Sequence, residues 1–253
     1  MGFNPFGNLP VINMADIANK NDLEVLTQKI DGYIYKGNKT LYWDPTNGDD
    51  TIATGSDIKP YKTLAKLLND LPDILLGSVN VMIKNGIHNI SENISQLNKY
   101  IYNLNFDGLD NNQTVLIGQL KILTFNIPRI NIYNITLKPN DVENSFIVQF
   151  YSKSLIFIRN CIIDGNNSIN NNIRGLLFYY TTAVIRNTML KNFSSSGSSP
   201  IENTGSQCLF DGGTTFNNNN YHLKNYGGLN SYDSSITFDT ALIATKYDAH
   251  TIL

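Results

Sequence analysis

Ile132-Tyr133-Asn134-Ile135-Thr136-Leu137, Ile158-Arg159-Asn160-Cys161-Ile162-Ile163 and Ile185-Arg186-Asn187-Thr188-Met189-Leu190 share one pattern, and their asparagines recur at intervals of roughly 26 residues. A unit of that length, holding two or three short strands and no crossover helix, cannot bury both sides of its strands alone. It must stack on copies of itself. The predicted fold is therefore all-β, a single-stranded right-handed parallel β-helix whose equivalent residues stand in ladders about 4.8 Å apart. In that geometry Ile158 points inward, Arg159 outward, Asn160 makes a corner, and Cys161 and Ile163 return to the interior.

Further copies flank these three. Ile101-Tyr102-Asn103-Leu104-Asn105-Phe106 precedes the first by a somewhat wider interval and fits the same unit with a longer loop. Phe210-Asp211-Gly212-Gly213 carries glycine where asparagine stood, and Ile236-Thr237-Phe238 carries neither. Apolar runs at Phe146 to Phe150, Leu176 to Tyr180 and Val79 to Ile83 supply the remaining strands. The alignment predicts a structural ladder of Asn103, Asn134, Asn160 and Asn187. Such a ladder satisfies polar groups that would otherwise cost about 1 to 3 kcal/mol each. The residue after the last aliphatic reads Asp107, Lys138, Asp164 and Lys191. Opposite charges stacked in that way add roughly 0.2 to 1 kcal/mol per pair.

The chain holds 37 asparagines in 253 residues, which suits a fold with many equivalent turns, although an AT-rich coding bias would raise the same count. Only four arginines and a net charge of −2 leave no basic surface for phosphates, so nucleic acid is not an expected partner. Cys161 and Cys208 have no paired spacing for zinc, haem or redox chemistry and read as small buried hydrophobes. Neither a metal nor a cofactor is expected. The start, Met1 to Asn8, lacks the basic and apolar regions of a secretory signal, and no apolar run reaches the length of a membrane span. The expectation is a protein that is neither Sec-secreted nor inserted in a membrane.

Two segments precede the repeats. Residues 1–40 read as an N-terminal attachment or oligomerisation segment, with a narrow helical stripe of Leu23, Leu26 and Ile30 after Asp22, and residues 41–253 as the β-helix domain. The stripe could seal the end of that domain or pair with copies of itself. Thr63 is a plausible N-cap, and Leu64, Leu67, Leu68 and Leu71 follow at helical spacing before Pro72, which predicts a capping helix with one buried face.

Trp43-Asp44-Pro45-x-x-Gly48-Asp49-Asp50, with Gly55, Pro60-Tyr61-Lys62-Thr63-Leu64 and then Val81-Met82-Ile83-Lys84-Asn85-Gly86, resembles the opening of the pectin-lyase-like β-helix of bacteriophage tail spike and tail fibre proteins. The resemblance covers about residues 41 to 245. It implies a homotrimeric virion appendage, assembled in the host cytoplasm, that contacts host cell-surface polysaccharide. Its N-terminal segment would dock to other tail or baseplate proteins.

That family contains both glycan-cleaving and glycan-binding members. Glycoside hydrolysis ordinarily needs two carboxylates about 5 to 9.5 Å apart. Glutamates are few (Glu24, Glu92, Glu143, Glu202), and the pectinase histidine and paired-aspartate motifs are absent. His88, His222 and His250 are scattered and read as surface or turn residues. The outward column Tyr102, Tyr133, Arg159, Arg186, Asp211 is the candidate ligand-binding strip, able to stack on sugar rings and pair with acidic groups. Alternatively, Asp211 or Glu202 relieves the two arginines across a subunit contact. The expected function is a non-catalytic receptor-binding or structural tail component, for which six or seven coils suffice. A polysaccharide depolymerase, hydrolase or lyase, with a site on the β-helix face or between subunits, is the second reading. A secreted bacterial adhesin or lyase of the same fold is the third.

Overall fold

The computed structural model describes residues 33–95, 97–142 and 145–239, together with Glu24 and the backbone of 242–246 and 250–252. The helical stripe of Leu23, Leu26 and Ile30 lies outside the described residues. From Lys39 onward short strands alternate buried and open positions, as Thr114–Ile122 does at every second residue. Each strand pairs in parallel with its equivalents one coil before and one coil after. The chain thus winds into a parallel β-solenoid of about six turns.

One sheet stacks Lys39–Trp43, Ile74–Ile83, Tyr100–Asp107, Arg129–Tyr133, Leu155–Arg159, Thr182–Arg186, Gln207–Asp211, Leu229–Tyr232 and His250–Ile252, with Ile34–Tyr35 also paired to Ile74–Ile83. The second begins as two long strands, Gly86–Ile94 on Thr114–Ile122, and then forks. Val115 to Ile117 continue into Thr136–Lys138, whereas Leu120 to Ile122 continue into Phe146–Tyr151. Gly118 sits at the fork with φ 135°, and a Cβ there would collide with the Ile90 carbonyl oxygen. Only glycine allows the strand to bend so close to the coil beneath it. Above the fork, Ile162–Asp164, Met189–Lys191, Thr215–Asn217 and Thr237–Phe238 prolong one branch. Arg174–Tyr179, Ser199–Thr204, Tyr221–Tyr226 and Leu242–Lys246 prolong the other.

The core consists of vertical columns. Val81, Phe106, Ile132, Ile158, Ile185, Phe210 and Tyr232 stand in register and are all buried. His88, Leu116, Leu137, Ile163, Leu190 and Phe216 form a second column. Burying each large apolar side chain contributes roughly 1.5 to 3 kcal/mol. In a third column the stacked rings of Phe150 and Phe178, 5.4 Å apart, give way to buried Asn203 and Asn225. Each of these asparagines closes a turn from inside. Asn203 accepts from Ser206 N and donates to Ser206 O, and Asn225 does the same with Gly228.

The corner after the first sheet explains the repeated asparagine. Asn134, Asn160 and Asn187 take φ of 54°, 54° and 46°, and Gly212 follows at 60° in the next coil. Asparagine and glycine tolerate this left-handed region better than other residues. Asn160 Nδ2 donates to Asn134 Oδ1 at 3.3 Å, and Asn134 Nδ2 donates to Asp107 Oδ1 at 2.9 Å.

That contact corrects the alignment of the earliest repeat. Asp107, not Tyr102, lies under Tyr133, and Phe106 lies under Ile132, so the interval matches that of the later coils. Asn103 therefore falls outside the corner ladder. It pairs in register with Arg129, donates to Ser78 Oγ and accepts from Asn131 Nδ2. Ile101-Tyr102-Asn103 carries the right residue types, but inward alternation runs on through Leu104 and Phe106 before the chain turns. The charge column loses Asp107 for the same reason: Lys138 stands over Ile117, while Lys138 and Lys191 flank Asp164 at 3.8 and 4.0 Å.

The capping helix forms as Leu64–Asn69, with Thr63 accepting from Lys66 N and Leu64, Leu67 and Leu68 buried. Asp50 takes bonds from Lys62 N, Thr63 N and Thr63 Oγ1, and Trp43 Nε1 donates to Lys62 O. The Trp-Asp-Pro stretch thus ties the helix onto the open end of the core.

Two substitutions test these corners by urea denaturation. Asn160→Ala should cost about 1 to 2 kcal/mol, because alanine is disfavoured at positive φ, and Asn160→Gly distinctly less. Gly118→Ala should cost about 3 kcal/mol or more, since its methyl has no room beside Ile90.

Candidate functional site

The outward column of the first sheet holds Tyr133, Arg159, Arg186 and Asp211 on consecutive coils, in parallel register. The two arginines are not left to repel. Arg186 makes a two-point pair with Asp211 of the same chain, Nε to Oδ1 at 2.9 Å and Nη2 to Oδ2 at 2.7 Å. Those bonds push the Arg186 guanidinium pKa upward. Its stem lies across Gly212, where a Cβ would come within 2.6 Å of Arg186 Cγ. Glu202 sits on another face, 3.9 Å from Arg174.

Arg159 behaves differently. Its guanidinium lies over the ring of Phe157 at 4.7 Å from the centroid, and Arg129 lies over the same ring at 4.4 Å. Burial pushes the Tyr133 hydroxyl up, against the opposing pull of Arg159 and Arg129. The strip is thus two guanidiniums sharing one aromatic ring, with a phenol beside them and an ion pair above. Phe157 and Arg129 are absent from the strip as read from sequence. Strand alternation could have found them, because Arg129 and Phe157 lie two or four positions before members of the column and face the same way.

The carboxylates nearest the strip and the capping helix are committed to structure. Asp107 accepts from Asn134 and Leu109 N. Asp164 accepts from Asn166 N and Asn192, besides its two lysines. Asp50 and Glu92 form the pair with opposed shifts. Burial pushes Glu92 up, assisted by the charge of Asp50. Burial acts on Asp50 too, but bonds from Thr63 and Lys62 outweigh it and hold its pKa low. Both carboxylates bind backbone at the start of the capping helix, Glu92 through Leu64 N at 3.3 Å.

Two histidines prove to be interior, contrary to their reading as surface or turn residues. His88 Nε2 donates to Lys84 O at 2.7 Å, and Nδ1 lies 2.8 Å from Thr46 Oγ1 and 3.8 Å from Asp44 Oδ1. His88 thereby clamps the turn after Trp43 to the first full coil. His222 is buried between Phe216 and Phe238, with Nε2 2.9 Å from Asp239 Oδ1. The side chains of His250 and Glu143 lie outside the described residues. Cys161 and Cys208 are free and buried, and burial pushes the Cys161 thiol up to about 12. Among the described residues no three His, Cys, Asp or Glu converge on one point, and no helix is long and apolar enough to cross a membrane.

Burial lowers the His222 pKa from its ordinary 6.5, more than Asp239 raises it, so the folded state favours neutral imidazole. The resulting stability is fully present above about pH 6.5 and is lost as pH falls through the lower folded value. Urea midpoints should therefore drop on acidification below that point, and His222→Gln should flatten this part of the profile. Both cysteines should resist iodoacetamide at pH 8 in the native state and react once the chain is unfolded in urea.

Comparison with protein-family models, with curated proteins and with solved structures found no match.

Proposed function

We propose that this solenoid is a non-catalytic receptor-binding component of a virion tail spike or fibre, holding host cell-surface polysaccharide against the outward face of its first sheet. The observation that carries the reading is the shared stack of Arg129 and Arg159 on Phe157, beside Tyr133. Guanidiniums already laid on a ring lose little further freedom when they bind, and they present fixed donors to sugar hydroxyls or carboxylates. Neighbouring rungs repeat at about 4.8 Å, so a glycan chain lying across them meets donors from several coils at once.

Binding rather than cleavage is favoured because the carboxylates nearest the strip already serve turns and ion pairs: Asp107 with Asn134, Asp211 with Arg186. The viral setting, the homotrimer and N-terminal docking to tail or baseplate proteins follow from the resemblance at Trp43 to Asp50 and Val81 to Gly86. No prosthetic group enters the reading.

The test is a panel of host polysaccharides assayed for binding and for reducing-end release together. Arg159→Ala combined with Arg186→Ala should abolish binding, and Phe157→Ala should weaken it at least tenfold, with reducing ends at background throughout. Unchanged binding in the double variant removes the strip from the mechanism, and steady release of reducing ends turns the reading to a depolymerase. A light-scattering mass near three times the 28.3 kDa chain would support the trimer.

A further inference from the structure

We propose a second carbohydrate site, remote from the arginine strip: an aromatic notch at the corner after Phe146–Tyr151 and Arg174–Tyr179 that takes a single pyranose ring by stacking. It rests on the reading of this protein as a glycan binder and adds a subsite of different chemistry.

Phe125, Tyr151, Tyr179 and Tyr180 come from three successive coils and meet at that corner. Tyr151 is the hub, with its ring centroid 6.0 Å from Phe125, 6.1 Å from Tyr179 and 6.1 Å from Tyr180. The Phe125 and Tyr180 rings meet it edge to face, at 76° and 88°. Such packing covers one ring face in each pair and leaves Phe125 and Tyr180 largely in solvent. The rings, with Ser152 and Lys153, line a notch of about 210 Å³. Phe125, Tyr151 and Tyr180 are 59 %, 42 % and 63 % exposed, an apolar cluster that the fold does not bury.

The backbone supplies an independent sign. Tyr180 has φ of 54°, a conformation in which a bulky side chain costs about 1 to 2 kcal/mol. Its equivalents in the next two coils are Gly205 at 61° and Gly227 at 74°, which adopt the same turn without that penalty. The equivalence is fixed by Tyr180 N donating to Thr204 O and Gly205 N donating to Tyr226 O. Moreover, a Cβ on Gly205 would lie 2.9 Å from Tyr180 Cδ1 and Cε1. The coil above is hollowed to seat a ring that strains its own backbone and stays mostly in solvent. Core packing does not account for that arrangement, because an exposed ring returns little burial energy. Strain of this kind gathers at binding sites.

Size and charge select the occupant. The notch is smaller than the roughly 300 to 1,000 Å³ of pockets for drug-sized ligands, and so suits one ring. Aromatic cages also hold quaternary ammonium groups, but here the charged lining residue is Lys153, which repels a cation, and no carboxylate lines the notch. A pyranose offers an apolar C–H face for the rings and hydroxyls for the tyrosine rims. An acidic substituent would meet Lys153.

The test uses the full chain with ring-labelled tyrosine and phenylalanine. It is titrated with the methyl glycosides of glucose, galactose, N-acetylglucosamine and glucuronic acid, and with choline, while ring resonances are followed. At least one glycoside should shift them saturably and choline should not. Tyr180→Gly should lose at least tenfold in that affinity with Tm unchanged or higher, and Tyr151→Ser should lose it as well. The proposal is overturned if no glycoside acts on the rings, if choline binds better, if Tyr180→Gly keeps its affinity, or if Tyr180→Gly lowers Tm by several degrees. The Arg159→Ala, Arg186→Ala protein, run in parallel, separates the two sites. Loss of polysaccharide binding there, with silent rings in the parent, retires the notch and leaves the strip. Ring shifts that survive in that protein, with polysaccharide binding intact, retire the strip and leave the notch.

Discussion

Every coil of this chain has to come back to the same azimuth before the next can stack on it, and the hardest part of that circuit is the sharp corner after the first sheet. There the backbone enters the left-handed region at Asn134, Asn160, Asn187 and Gly212. The corner sets which residues face inward, because Ile132, Ile158 and Ile185 precede it at a fixed distance and Ile135, Cys161 and Thr188 follow it. Once the corners coincide, strands pair, columns fill and charged residues find partners without further instruction. A shift of one residue at a corner would turn an interior isoleucine outward and an arginine inward.

Much of this was legible in the chain, for reasons that can be named. The three central repeats carry aliphatic residues in a spacing that only one stacking register satisfies. The capping helix carries its own start signal in Thr63 and its buried stripe in Leu64, Leu67 and Leu68. Asn103 misled because the same residue type does several jobs here. It belongs to an outward polar row in which Asn131 donates to both Asn103 and Asn105, and Asn105 donates to Asn80. A second corner ladder, Asn218 to Asn192 to Asp164, went unread for the same reason, as did the interior Asn203 and Asn225. Composition counts asparagines but does not separate turn, row and core.

The candidate sites were legible to differing degrees. Tyr133, Arg159, Arg186 and Asp211 could be aligned from the repeat, since each precedes a corner residue. Phe157 and Arg129 required one further step, the alternation of a strand. Phe125, Tyr151 and Tyr179 stand 26 and 28 residues apart, close to the repeat interval, and Tyr180 follows directly, but no shared motif marks them before the wound coil sets their rings together. The buried histidines carry no periodic signal at all: His88 fills a core column under Leu116, and its contact with Thr46 is a long-range fact of packing.

The fork at Gly118 carries a consequence of a different kind. Below it the second wall is one unbroken strand per coil; above it the wall is split, and each later coil crosses the split by a loop. Those loops are bonded to the next coil near their ends, as Gly165 N is to Lys191 O and Asn172 N to Ser196 O, but open to solvent at tips such as Ile169. Segments of varied length can therefore be inserted along that seam without disturbing the spacing of the walls on either side. The seam is where related chains could diverge in surface while keeping one interior, and where a foreign peptide could be grafted for display.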